Sequence, residues 1–192
     1  YVGDLHGLNT LKHQPAKVAA KEGVWHTEKG APLLLFAIPD GEARTNHFEI
    51  GIPKMASFIL THDFNGEIKG LNEFLNSHPP VGPVFYSFRV MVGMGMLMLL
   101  VSWTSVLAFR KGGPVLENRM HRVLLTTLMF MMFSGWIATV AGWWVTEIGR
   151  QPYVVYGILG TADVVAQHPP QLVAFTVLLY MVMYIALIIS YV

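Results

Sequence analysis

Three apolar stretches restrict this chain more than any other feature. Residues 84–109 carry one charge, Arg89, and residues 123–146 and 171–192 carry none. Each exceeds the ~20 residues a helix needs to cross the hydrocarbon core of a bilayer. No polar face interrupts these runs, so three buried helices of a water-soluble protein are a poor alternative. The spacing predicts spanning helices over about 84–109, 123–147 and 171–192. The fold class expected is an all-α integral membrane protein, a transmembrane helix bundle with a partly structured extracytoplasmic loop segment.

Charge is distributed to match. Only 13% of the 192 residues are charged and 53% are hydrophobic, against about a quarter charged in a soluble domain. Residues 1–83 hold 7 Lys or Arg and 9 Asp or Glu, and charge is sparse beyond them. This divides the chain into an aqueous segment, 1–83, and a membrane domain, 84–192. The connection 110–122 (RKGGPVLENRMHR) has four basic residues against one Glu. By the positive-inside rule it is cytoplasmic, and 1–83 and 147–170 are then extracytoplasmic. A net charge of +1 gives no electrostatic case for nucleic acid. With no cysteine, disulfide, iron–sulfur and zinc–thiolate frameworks are excluded. The chain starts at Tyr1 and its last apolar run reaches Val192, so it reads as a piece of a longer protein.

In the aqueous segment, PAKVAAKEGVW (15–25) reads as a short helix with Pro15 at its first position and Gly23 at its end. APLLLFAIPD (31–40) and FEIGIPKM (48–55) read as short extended pieces, each broken at Ile-Pro. Loops and turns are expected from 62 to 83.

Three groups of residues could carry chemistry. In GWWVTEIGRQPY (142–153), Trp143, Glu147 and Arg150 share one helical face. Ionisable groups near hydrocarbon often mark function, although snorkelling charges with tryptophan anchors would look the same. The donor-rich Gly-Arg-Gln-Pro turn is suited to an anion. In FRVMVGMG (88–95), Arg89 is a charge within a span, and Met91 offers either packing or a soft thioether ligand. Gly93 and Gly95 would let a flat ring approach. The helix start at 84 and the helix end at 147 share a face of the membrane. Arg89, Met91, Glu147 and Arg150 are therefore expected at similar depth, where they could line one site. In KVAAKE, Lys17 and Glu22 pair a cation with a carboxylate able to accept protons, or simply form an amphipathic surface helix. All eight histidines lie outside the three runs, so any membrane-embedded metal would draw its imidazoles from elsewhere.

PAKVAAKEGVW, FAIPD, FEIGIP, FRVM and GWWVTEIGRQPY, in this order, resemble subunit I of cytochrome bd-type quinol oxidases, in its C-terminal half from the quinol loop onward. The resemblance implies an enzyme that oxidises ubiquinol or menaquinol at the outer face and reduces oxygen to water, generating a proton gradient. It implies Lys17 and Glu22 as the residues of quinol oxidation and Met91 as axial ligand of a low-spin haem b. It implies Glu147 as a ligand in the region of a high-spin haem b and a haem d, or a further haem b. Arg89 and Arg150 are implied to sit beside haem propionates, and Trp143 between haems. A subunit II partner in a membrane heterodimer, a lipid bilayer and the bacterial cytoplasmic (inner) membrane, crossed several times, come with it. Tyr153, where Trp is common, and the short loop resemble the short-loop, cyanide-insensitive-type branch. A membrane transport protein using Arg89, Glu147 and Arg150 as a substrate site, or a structural membrane subunit anchored by these charges, are the alternatives.

Overall fold

The computed structural model describes residues 2–74, 77–110, 112–113, 118–165 and 168–191. Lys111 and Glu117, which contribute to the charge balance of the 110–122 connection, lie outside them. So do Tyr1 and Val192, at the two ends of the sequence.

The polar segment is more regular than its Gly- and Pro-rich sequence suggests. It runs α1 (Val2–His13), α2 (Pro15–Glu22), β1 (Glu28–Lys29), β2 (Leu33–Asp40), β3 (Thr45–Ile52), α3 (Met55–Thr61) and β4 (Glu67–Ile68), then a 3-10 turn at Leu71–Phe74. Strands β2 and β3 form an antiparallel hairpin, and β1 pairs with β4. Pro15 opens α2 at a position that lacks an intrahelical partner for its N–H in any case. Gly23 closes it in the left-handed region at φ +72, where a Cβ would lie 2.9 Å from the Phe85 ring. The first Ile-Pro does not break its strand: β2 continues through Pro39 to Asp40 and pairs with β3 beyond it. A two-stranded ribbon has free edges, where a missing N–H is tolerated.

The membrane segment holds α4 (Val81–Phe109), α5 (Arg119–Phe130), a 3-10 turn at Met131–Phe133, α6 (Ser134–Ile148) and α8 (Pro170–Tyr191). Between the last two lie a small antiparallel ladder, β5 (Tyr153–Val155) with β6 (Leu159–Gly160), and the single-turn α7 (Thr161–Val164). Three helical stretches, Val81–Phe109, Arg119–Ile148 and Pro170–Tyr191, are long and apolar enough to cross a membrane. They begin one to four residues before the apolar runs do. One consequence corrects the histidine reading. His121 falls in the first turn of α5, buried and edge-on to the Phe109 ring at 5.1 Å. It lies at the opposite end of that span from Glu147, roughly 40 Å away at 1.5 Å per residue, and does not reach the site described below.

Helix α4 packs against α6 and, nearer its end, α5, largely through small residues. Ser87, Ser105, Ser134, Ala141 and Val145 are buried between largely exposed apolar faces. This is the membrane pattern: lipid is as apolar as leucine, so close backbone approach replaces hydrophobic burial as the source of attraction. Ser105 and Ser134 return their hydroxyls to the carbonyls of Val101 and Met131, at 2.7 and 2.6 Å. Every described residue of α8 is exposed.

The polar segment docks on the membrane helices through a real core. Ala19, Ala20 and Trp25 cluster with Leu71, Val81 and Val84, with Ile148 against them. Leu34 and Ala37 of β2 enclose Phe85. Burial of each large apolar side chain contributes about 1.5–3 kcal/mol. This contact therefore fixes α2 over the start of α4 and the end of α6.

Candidate functional site

Helix α2 buries Ala16, Val18, Ala19 and Ala20, which leaves Lys17, Lys21 and Glu22 to meet the membrane helices. They meet two different ones. Lys17 donates from Nζ to the Thr146 carbonyl of α6 at 3.3 Å. This is a favourable place for a cation, because the last carbonyls of a helix lack partners. Burial lowers the Lys17 pKa, the nearby Arg150 lowers it further, and Glu147 opposes both.

Lys21 and Glu22 face α4. Glu22 is 3% exposed. Its Oε1 lies 3.9 Å from Lys21 Nζ and its Oε2 lies 3.9 Å from Arg89 Nη2. Among the described residues, Oε2 accepts no hydrogen bond. That oxygen is thus charge-compensated by Arg89 but has no hydrogen-bond donor among them. Burial drives its pKa up, and Lys21 and Arg89 only partly offset this. Burial also lowers the Lys21 pKa, against the pull of Glu22.

Arg89 is occupied on several sides. Nε and Nη2 donate to the Leu34 carbonyl at 3.0 and 2.7 Å. Nη1 donates to the carbonyls of Lys21 and Phe85. The guanidinium also stacks 3.4 Å from the centre of the Phe85 ring. One side chain therefore ties together α2, β2 and α4.

A second cluster lies at the end of α6. Glu147 Oε1 and Arg150 Nη2 are 3.4 Å apart, with side chains 56% and 39% exposed. Helix α6 ends at Ile148, yet the turn beyond it keeps Arg150 within reach of Glu147. Gln151 and Thr161 pin that turn through a 2.7 Å hydrogen bond. Trp143, one turn inward, is exposed. Met91 is half-buried against α6, its Sδ 3.1 Å from where a Cβ on Gly142 would stand. Gly93 and Gly95 have open space beside them.

The single site expected of Arg89, Met91, Glu147 and Arg150 is therefore divided. Arg89 belongs with Glu22, Glu147 belongs with Arg150 beside Lys17, and Met91 lies at the α4–α6 contact. The docked α2 causes the division, because its two polar edges each recruit one membrane helix.

The donor set suits a metal that brings ligands of its own. Among the described residues, no three His, Cys, Asp or Glu side chains converge on a point, so a bare ion has no cage. One thioether with glycines beside it, and one exposed carboxylate with an arginine and a tryptophan on the same face, fit a flat macrocyclic iron that needs axial ligands only.

Sequence reasoning missed a pocket of ≈ 290 Å³ beside Glu22, lined also by His26, Glu28, Arg44, Asn46 and Glu49. Asn46 organises its wall. It accepts from Trp25 Nε1 at 2.8 Å and donates to the Gly23 carbonyl and to Glu49 Oε1, both at 2.9 Å. Only the register of the β2–β3 hairpin brings residues 44–49 to residues 22–28, and no spacing in the sequence signals it.

The family model for cytochrome bd terminal oxidase subunit I matches residues 1–192. Cytochrome bd ubiquinol oxidase subunit 1 of Bacillus subtilis (strain 168) is 32% identical, over 96% of this chain and 41% of that protein. Cytochrome bd-II ubiquinol oxidase subunit 1 of Escherichia coli (strain K12) is 25% identical, over 98% and 49%. The solved structure of bd oxidase from Geobacillus thermodenitrificans superposes with a TM-score of 0.77 at 29% identity, over 98% of this chain and 42% of that one. The chain spans less than half the length of the curated relatives it matches. These matches give no support to a transport protein.

Proposed function

This chain belongs to the cytochrome bd terminal oxidase subunit I family, and from that premise we propose that it forms the quinol-oxidising and haem-ligating part of a quinol:oxygen oxidoreductase. The observation that carries the reading is Glu22, a buried carboxylate with one oxygen lacking any donor among the described residues, wedged between two cations where the polar segment meets a spanning helix. Such a group is poised to take a proton from a hydroxyl brought beside it.

The residues divide the work. Glu22 accepts the proton of a bound quinol, ubiquinol or menaquinol. Lys21 and Arg89 keep its charged form accessible despite burial. Lys17, with its lowered pKa and its hold on the end of α6, orients the loop segment 1–83 over the membrane domain 84–192. Met91 would give its thioether to a low-spin haem b. Glu147 would give a carboxylate oxygen in the region of a high-spin haem b and a haem d or further haem b. Arg150, whose planar fork suits carboxylates, would neutralise propionates there. Trp143 would offer a π surface on the same face. Arg89 would lend mainly charge to a propionate, since four of its five N–H donors are already engaged with carbonyls. When bound, the haems supply one-electron redox chemistry between quinol and oxygen.

The protein resides in the bacterial cytoplasmic membrane as a multi-pass subunit, with subunit II as its partner in a heterodimer. Residues 1–83 and 147–170 face outward and 110–122 inward. Protons from quinol are then released outside, and turnover builds a gradient.

The test uses the full-length complex. Its reduced-minus-oxidised spectrum should show haem bands, with the low-spin b signal altered by Met91→Leu and the high-spin or d signals altered by Glu147→Ala. Glu22→Ala should slow quinol oxidation with haem content intact. A parent without haem bands, or a Glu22→Ala variant that loses haem, overturns the reading.

A further inference from the structure

Two apolar grooves lie where α4 meets its partner helices, and they differ in charge. The first, of ≈ 860 Å³, runs between the last turns of α4 and the first turns of α5. Leu107 and Ala108 wall one side and Met120, Val123 and Leu124 the other. Thr104 also lines it, but its hydroxyl is turned back to the Leu100 and Val101 carbonyls at 2.7 and 3.0 Å. Arg119, the first residue of α5, completes the wall. The second groove, of ≈ 470 Å³ between α4 and α6, includes Trp136 and Trp144 and has no charged residue in its lining.

The surroundings of the first groove are basic. Between residues 104 and 124 the described side chains include Arg110, Arg119 and Arg122 and no Asp or Glu. The one acid of that stretch, Glu117, lies outside the described residues. The positive end of the α5 dipole falls at the same place. Leu107, Met120 and Val123 are 61%, 55% and 58% exposed. Hydrocarbon can therefore lie against them at a helix end, where the bilayer core gives way to headgroups.

We propose that this groove seats one phospholipid with an anionic headgroup, of the phosphatidylglycerol type: an acyl chain fills the space between α4 and α5, and the phosphate pairs with Arg119. Charge complementarity selects this occupant. An apolar helix laid in the groove would cover Arg119 without supplying an anion, which is costly. A phospholipid carries chain and anion on one molecule, at the spacing that the end of a spanning helix imposes. The guanidinium fork suits phosphate oxygens, and its stem lies along apolar surface while its head stays at the interface. Basic clusters beside spanning helices attract anionic lipid in the same way. A zwitterionic lipid offers the same phosphate but brings a cation toward a basic connection, so the net negative charge is preferred. The seat lies at the opposite end of the spans from Glu147, roughly 40 Å away along the helix, and needs none of the quinol chemistry there.

The test places the full-length complex in phosphatidylcholine nanodiscs containing a trace of either phosphatidylglycerol or phosphatidylcholine with a photoreactive acyl chain. After illumination, labelled peptides are mapped. Phosphatidylglycerol should label the peptides spanning 104–109 and 118–124 about 5-fold more than phosphatidylcholine does, and the α4–α6 groove around Trp136 should show no such preference. Arg119→Gln should remove most of that preference, Arg119→Lys should keep part of it, and Val123→Trp, which fills the groove, should reduce labelling by both lipids. Equal labelling by the two lipids in the wild type overturns the headgroup contact, as does an Arg119→Gln variant that keeps the full preference. Labelling that avoids these two peptides, because another protein segment covers the groove, overturns the seat. The wild-type comparison decides even where a variant does not assemble. A complex that lacks haem but keeps the lipid preference sinks the quinol reading alone, and the reverse result sinks only the lipid seat.

Discussion

Two glutamate–arginine pairs stand where α4 begins and α6 ends, and they are built in opposite ways. Glu22 and Arg89 are 3.9 Å apart, with side chains 4% and 15% exposed. Glu147 and Arg150 are closer, at 3.4 Å, but 56% and 39% exposed. The first pair joins residues far apart in sequence and is sealed by the docking of α2 and β2 on α4. The second is local, its members three residues apart at the end of α6. Burial gives the first pair a carboxylate whose pKa its surroundings shift, as the proposed proton-accepting role of Glu22 requires. Exposure leaves the second pair able to present an oxygen to something laid against α6. Similar residue pairs thus differ in their surroundings according to what covers them.

The largest expected difference between the pairs is functional. Glu22→Gln in the full-length complex should cut quinol oxidation by ~10²-fold or more with the haem bands unchanged. Glu147→Gln should change the haem bands themselves. Rate assays beside reduced-minus-oxidised spectra check this, and identical phenotypes would break the comparison. Stability separates the pairs next. Arg89→Met leaves Glu22 buried without its second cation and should cost about 3–5 kcal/mol. Arg150→Met at the exposed pair should cost less than about 1 kcal/mol. Thermal unfolding of the purified complex, with hydrogen exchange over residues 31–40, measures both.

The third prediction concerns pH. Burial raises the Glu22 carboxyl above its ordinary 4.5, with Lys21 and Arg89 opposing. The folded state therefore holds this proton to higher pH than the unfolded state does. The stability it contributes is full below the ordinary glutamate value and is lost as pH rises through the folded value. Glu22→Gln removes that titration, so Tm should fall less steeply on the alkaline side of the glutamate range than in the wild type. Equal slopes would mean that Glu22 is not desolvated in solution. The smallest effect expected is at the α4–α6 contact. A Cβ on Gly142 would stand 3.1 Å from Met91 Sδ, and a flexible thioether can yield to it. Gly142→Ala should cost about 1 kcal/mol or less while displacing the low-spin haem band.

Much of the fold is legible in the sequence, for simple reasons. Lipid leaves a spanning segment no choice but internal hydrogen bonding, so three uninterrupted apolar runs determine three helices. Pro15 and Gly23 mark the ends of α2 because their backbone constraints are local. Glu147 stands out as an ionisable residue at the edge of an apolar run, whereas Lys17, Glu22 and Met91 are singled out by the family resemblance, of which GWWVTEIGRQPY is the most specific part. The tertiary structure decided which of these residues meet. It placed Arg89 with Glu22 and not with Glu147, carried β2 through Pro39, and brought Glu28 and Glu49 to one chamber. These pairings depend on hairpin register and on the docking of α2 over two helices. Contacts of that kind are set by the packing of Trp25, Leu34 and Phe85 across long sequence separations, which no local pattern encodes.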